Sequence, residues 1–253
     1  MRPFLFLMTI LFLASSCASK KEILYLQDSA DYDNTVVQYT SPTIQPNDVL
    51  RITVGALVEE TAIPYNKPTT FANQGGSVEM MQLEGYLVTE DQQINFPQLG
   101  FISTANKTVI QLRDEIAKRL EDEGHLVSPT VNVRLLNAKV TVLGEVNTPG
   151  TYNFTEQNIS ILQALGYAGD LTINGKREDI ILVREIDGVH KITHLNLTSA
   201  ELLKSPYYFI KPNDVIVVNP NNPKVKSAGF VGNTATVISV VSILLSTVVL
   251  ITR

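Results

Sequence analysis

The apolar residues of this 253-residue chain are piled at its two ends, and that distribution decides which stretch can build a folded core. Residues 228–252 form 25 consecutive positions without a formal charge, preceded by Lys224 and Lys226 and followed by Arg253. As a helix rising ~1.5 Å per residue, the run would reach about 37 Å, against a bilayer hydrocarbon core of about 30 Å. The expectation is a C-terminal transmembrane helix over 228–252. Within it, Gly232, Ala235, Ser239, Ser242 and Ser246 step by three and four residues, the spacing of a packed seam. Small side chains on one stripe let membrane helices approach closely, so these five residues are the candidate oligomer seam. Two alternatives remain. A lone anchor would bond its hydroxyls to its own carbonyls, and a ring of helices would turn the serines to water.

The other apolar run has a different character. Met1-Arg2-Pro3 leads into an apolar stretch from Phe4 to Ala14 that closes on Ser15-Ser16. One positive charge, a short apolar region and small residues before a cut describe a secretory signal peptide over 1–16. The chain's single cysteine, Cys17, stands where cleavage should fall. Leu13-Ala14-Ser15-Ser16-Cys17 resembles a bacterial lipobox, although Ala14 replaces the leucine usual three places before the cysteine. Cys17 is therefore the candidate lipidation site, and residues 17–38 read as an anchor segment. Several acyl chains give stable attachment, whereas one is marginal. Ala18 follows the cysteine, where an Asp would imply inner-membrane retention in enterobacterial lipoproteins. By that analogy the anchor belongs in the outer membrane.

Between these ends lies an alternation of short strands and two helices. Residues 48–54 alternate apolar and polar as a half-buried strand does, whereas 55–84, with Pro64, Pro68, Gly75 and Gly76, read as an irregular insertion. Short strands are expected at 86–88 and 94–96. Thr108 and Gln111 have the spacing of a capping box, with Val109, Leu112, Ile116 and Leu120 on the buried face of the helix and Gly124 ending it. Strands follow at 130–136 and 139–143. Ser160 and Gln163 form a second capping box for a helix ending at Gly169, and strands at 180–186 and 189–195 flank the hairpin signal Asp187-Gly188. The tetrad Pro46-Asn47-Asp48-Val49 recurs as Pro212-Asn213-Asp214-Val215. Each copy places a turn before a strand.

Charge and motif content narrow the function. The formal net charge is −5, with no basic cluster larger than Lys20-Lys21, so nucleic acid is a poor partner. One cysteine excludes an intrachain disulfide and a cysteine-based metal cluster. His190 and His194 share strand parity but lack a third ligand, and His125 lies on a linker. Glu121-Asp122-Glu123 crowds a helix C-terminus, where acids are electrostatically unfavourable, and reads as a solvated end. Gly75-Gly76 has no phosphate-loop context, and there is no Gly-x-Ser-x-Gly elbow. No catalytic constellation and no cofactor motif emerges, which argues against an enzyme.

These residues resemble the outer-membrane polysaccharide export lipoproteins, which secrete capsule or exopolysaccharide. The first unit, 39–137, resembles their polysaccharide export domain through Ile44-Gln45-Pro46-Asn47-Asp48-Val49-Leu50-Arg51-Ile52-Thr53-Val54, Ile94-Asn95-Phe96-Pro97-Gln98-Leu99-Gly100, the helix from Thr108 and Ser128-Pro129-Thr130-Val131-Asn132-Val133. The second, 138–220, resembles a soluble-ligand-binding β-grasp domain. Its matching stretches are Val142-Leu143-Gly144-Glu145-Val146-Asn147-Thr148-Pro149-Gly150-Thr151-Tyr152, Leu162-Gln163-Ala164-Leu165 with Ala168-Gly169, and Lys211-Pro212-Asn213-Asp214-Val215-Ile216-Val217-Val218.

The fold class expected is thus α+β, an export domain followed by one β-grasp domain and a C-terminal transmembrane helix. The resemblance implies a non-enzymatic, ring-shaped homo-oligomer, commonly eight-fold, that passes a polysaccharide across the outer membrane. It also implies an inner-membrane co-polymerase partner, often linked to a tyrosine kinase. With one β-grasp unit, where the best-described channels carry more, the periplasmic vestibule should be shorter. The C-terminal helix is also more uniformly apolar than a water-facing barrel helix. The rival reading is a membrane-anchored glycan-binding or scaffold lipoprotein without its own pore. An envelope hydrolase would need a carboxylate pair that the sequence does not display.

Overall fold

The computed structural model describes residues 23–33, 36–68, 78–186, 188–227 and 234–251. The signal segment and Cys17 lie outside these residues, as do Gly232 of the proposed seam and Asp187 of the hairpin signal.

The first unit is built on strand β1 (Val49–Gly55), whose alternation buries Leu50, Ile52 and Val54 and turns Arg51 and Thr53 away from the core. It is central in an antiparallel sheet of order β2-β1-β5, with β2 at Tyr86–Leu87 and β5 at Thr130–Leu135. Strands β3 (Gln93–Phe96) and β4 (Gly100–Ser103) form a separate hairpin. The stretch 55–84, expected to be irregular, contains a helical turn α1 (Glu59–Ala62) and helix α2 (Val78–Glu84). Both are too short to show a hydrophobic period, which is why the sequence did not reveal them.

Helix α3 (Val109–Asp122) carries the expected capping box: Thr108 Oγ1 accepts from Gln111 N at 3.3 Å, and Gln111 Oε1 accepts from Thr108 N at 2.9 Å. Leu112, Ile116 and Leu120 are fully buried against β5 and the rest of the core. Removing any one of them would cost about 2–5 kcal/mol.

The second unit begins with no linker. Leu135 packs against the cores of both units, and strand β6 (Lys139–Gly144) starts four residues later. Its sheet has the order β10-β9-β12-β6-β7. Here β7 is Gly150–Asn153, β9 Gly175–Ile186, β10 Val189–Leu195 and β12 Val215–Pro220. The central pair β12–β6 is parallel and the other pairings are antiparallel. Strand β8 (Ile159–Ser160), paired with β11 (Phe209–Ile210), leads directly into helix α4 (Ile161–Tyr167). The second capping box is also formed, Ser160 Oγ accepting from Gln163 N at 3.2 Å. Ile161, Ala164 and Leu165 of α4 join Val140, Val142, Ile180, Leu182 and Ile216 in one core.

The N-terminal arm docks on this second unit, not on the domain that follows it in sequence. Leu26 N donates to Leu197 O at 3.1 Å and Gln27 N to Thr198 O at 2.7 Å. Tyr25 bonds Asp170 through its hydroxyl and lies under the Arg177 guanidinium. Asp28 accepts from Ser199 Oγ and Ala200 N, at 2.7 and 2.5 Å.

The C-terminal expectation is corrected. Among the described residues no helix is long and apolar enough to cross a membrane. After α5 (Asn222–Ser227), the described part of the uncharged run is helix α6 (Thr234–Ile251), 18 residues. At ~1.5 Å per residue it spans about 27 Å, short of a hydrocarbon core of about 30 Å. Counting uncharged positions treats every residue alike, yet six of these 18 carry a hydroxyl: Thr234, Thr236, Ser239, Ser242, Ser246 and Thr247. Ser246 Oγ donates to Ser242 O at 2.8 Å and Thr247 Oγ1 to Ile243 O at 2.7 Å, so both hydroxyls are spent on their own helix. Ser239, Ser242 and Ser246 are exposed.

Candidate functional site

The repeated tetrads form the same turn. Asn47 and Asn213 both adopt φ +68°, a left-handed conformation that asparagine tolerates better than most residues. Asp48 Oδ2 accepts from Gln45 N at 2.8 Å and Asp214 Oδ2 from Lys211 N at 2.8 Å, closing each turn from its aspartate side chain. Each turn is also tied to a neighbouring strand region, Asn47 N donating to Val88 O and Asn213 N to Lys139 O.

The two carboxylates then diverge. Arg184, on β9, grips Asp214 with Nε to Oδ1 at 2.9 Å and Nη2 to Oδ2 at 2.7 Å, and Nη2 also donates to Phe209 O. Both side chains of this pair are almost wholly buried. Burial pushes the Asp214 carboxyl up while the guanidinium pulls it down, and burial is the larger influence. Asp48 is also buried but pairs with no cation among the described residues, so burial pushes it up to about 6, opposed by the Gln45 amide.

Asp48 borders a cavity of about 290 Å³ where the two units meet. Its wall includes Thr43, Asp48 and Arg134 from the first unit and Phe154, Glu156 and Gln157 from the second. The segment 43–44 is fixed there by Ile44 N bonding Lys107 O at 2.8 Å, beside the start of α3. Because Leu135 is shared by both cores, the cavity is held between units that meet through packed side chains. A mixed wall of hydroxyl, carboxylate, guanidinium and aromatic groups suits a polar ligand with apolar faces.

Other sequence candidates separate. His194 Nδ1 contacts Asp179 Oδ1 at 2.5 Å on the exposed face of β10, and Asp179 also takes Lys176 Nζ at 3.0 Å. No group of three or more potential metal ligands occurs among the described residues. Glu123, in the acidic run, pairs with Arg119 one helical turn back at 2.9 Å. The buried Arg184–Asp214 pair and the Asp48 cavity escape sequence reasoning. Their one visible signal is the repeated tetrad, which gives the turn but neither partner.

Residues 37–136 match the family described as polysaccharide biosynthesis/export protein, and residues 139–190 match the SLBB domain. The chain is 32% identical over 166 residues to the EPS I polysaccharide export outer membrane protein EpsA of Ralstonia nicotianae, covering 62% of this chain and 42% of that protein. The protein of the same name from Ralstonia solanacearum is 29% identical over 154 residues, covering 58% and 40%. The chain therefore spans about two fifths of the length of these relatives. The export match falls on the sheet and helix of the first unit, and the SLBB match begins at β6, spans β9 and ends two residues into β10. With both domains present in this order, the chain belongs to the polysaccharide export protein family.

Proposed function

We propose that this protein is a non-enzymatic subunit of an outer-membrane polysaccharide export assembly, in which the two domains bind and pass the glycan. The observation that carries this reading is the succession of an export domain and an SLBB domain packed without a linker around a shared cavity. The relatives named for export from the outer membrane support the location and the cargo class. In this reading Cys17 is acylated and holds the protein to the outer membrane. Copies of the chain assemble into a ring, with a co-polymerase of the inner membrane, or its associated tyrosine kinase, delivering the glycan.

A second reading gains weight from the C-terminal helix. With no described helix long enough to cross a membrane, the protein can serve as an anchored glycan-binding component beside a pore formed by other chains. One experiment tests the shared core of both. Deleting the protein should abolish surface polysaccharide while the glycan continues to be made and accumulates inside the cell. Normal surface glycan in the deletion strain overturns the export role. Detergent-purified protein imaged as a closed ring favours the first reading, and a monomer favours the second.

A further inference from the structure

On the face of the export-domain sheet opposite its core, Arg51 of β1 stands directly across from Arg134 of β5. Directly opposed side chains have Cβ atoms about 4.5–5.5 Å apart, and like charges in that position are destabilising. No carboxylate lies within ion-pair distance of either arginine among the described residues, although the chain as a whole is net acidic. Nearby Arg113 is already paired with Asp114 at 2.6 Å, and Glu156, which lines the same cavity as Arg134, is turned to Tyr167 and the Thr155 amide. The two arginines thus stand opposite each other with no ion pair among the described residues, Arg51 sharing a hollow with Glu84 and Arg134 sharing its cavity with Asp48 and Glu156.

What surrounds the pair is polar and open. The next pairs along the same face are Thr53 with Asn132 and Gly55 with Thr130, all exposed. At ~3.4 Å per residue, three successive pairs on one face extend about 14 Å. Helix α3 packs its apolar side on the opposite face of β5 with Leu112, Ile116 and Leu120, while Met81 and Glu84 of α2 line a hollow of about 240 Å³ with Arg51 and Thr53. At its Arg134 end the strip opens into the cavity between the domains and into a second hollow of about 250 Å³ beside Asn132 and Gln157.

We propose that this strip binds the acidic groups of an anionic glycan, with Arg51 and Arg134 jointly holding a carboxylate or phosphate and Thr53 and Asn132 bonding the sugar hydroxyls. Guanidinium is the side chain suited to this task, since its planar fork matches the two oxygens of such anions and is always charged. An occupying anion removes the repulsion between the arginines, so the same event that recognises the ligand stabilises the sheet. The proposal rests on the export reading and narrows the cargo to acidic polysaccharides.

The test uses the purified full chain titrated with three probes: an oligogalacturonate, a dextran oligosaccharide of equal length, and inorganic phosphate. The oligogalacturonate should bind, weaken strongly between 50 and 500 mM salt, and compete with phosphate, while dextran should bind at least about tenfold more weakly. Arg51→Gln with Arg134→Gln should weaken oligogalacturonate binding at least about tenfold without lowering thermal stability, because the repulsion is relieved. The double Lys variant, which keeps charge but loses the fork, should fall between. Equal binding by the double Gln variant, equal binding of dextran, or binding of phosphate without oligogalacturonate each overturns the site. The export reading is judged separately by the deletion strain. If that strain loses surface glycan while the titrations show no discrimination, the arginine site alone has failed.

Discussion

Asp48 and Asp214 occupy the same position of the same turn, yet only Asp214 faces a cation, the Arg184 guanidinium at 2.7 Å. The shared geometry makes the two positions an internal control for what a buried charge costs. Removing one partner of a buried pair strands the other charge, so Asp214→Asn should destabilise by about 3–5 kcal/mol. Asp48→Asn keeps an acceptor for the Gln45 amide while discarding an uncompensated charge, and at pH 7.5 it should stabilise by about 1–3 kcal/mol. Urea midpoints of the two variants decide it. Shifts of the same sign would mean that Asp48 has a partner after all.

The same carboxyl gives the protein a pH dependence of definite sign. Asp48 is raised from 3.8 to about 6 in the fold, so between those values the folded state holds a proton that the unfolded state has lost. The contribution is therefore fully present below about pH 4 and falls away as pH rises through 6, by about 3 kcal/mol in all. Wild type minus Asp48→Asn, measured as unfolding free energy from pH 4 to 7.5, should decline across that window. A flat difference would refute the assignment.

Gly144 ends β6 at φ +92°, and a Cβ placed there would lie 2.0 Å from Val218 O of β12. Both backbones belong to the parallel pair at the centre of the sheet, so neither can step aside. Gly144→Ala should cost about 2–4 kcal/mol through strain and overpacking. Thermal melts of that variant against Gly166→Ala, where a Cβ meets open space, provide the comparison.

The N-terminal arm should detach when its aromatic contact is removed. Tyr25→Ala loses the hydroxyl bond to Asp170 and the ring beneath Arg177, leaving two backbone bonds and the Asp28 contacts. Hydrogen exchange at the Leu26 and Gln27 amides should accelerate at least about tenfold, with Tyr25→Phe in between and β12 amides unchanged. Unaltered exchange would show the arm to be held by its backbone alone.

Acylation of Cys17 is tested by metabolic labelling with a fatty-acid analogue. Wild type should label and stay with the outer membrane after high-salt washing, and Cys17→Ala should do neither. Equal labelling of the two would remove the lipid anchor from the proposed function.

The local elements were legible because they depend on neighbours within a few positions. Both capping boxes, the buried face of α3, the strand beginning near Asp48 and the equivalence of the two Pro-Asn-Asp-Val turns follow from short-range spacing, and the structure forms each of them. The membrane-spanning helix misled because the absence of charge weighs a serine or threonine like a leucine and does not say that hydroxyls will bond their own backbone. Which residues meet across the fold was not written locally. Alternation turns Arg51 and Arg134 outward, but only the β1–β5 register sets them opposite each other, 83 positions apart in sequence. Arg184 reaches Asp214 because β9 pairs with β12, whereas Arg134, the arginine that shares the Asp48 cavity, makes no ion pair with it. Sequence fixes conformations through interactions of a few bonds' reach. Partners, burial and the charge state that burial imposes arise only when distant strands are brought together, and in this protein that step created the candidate site.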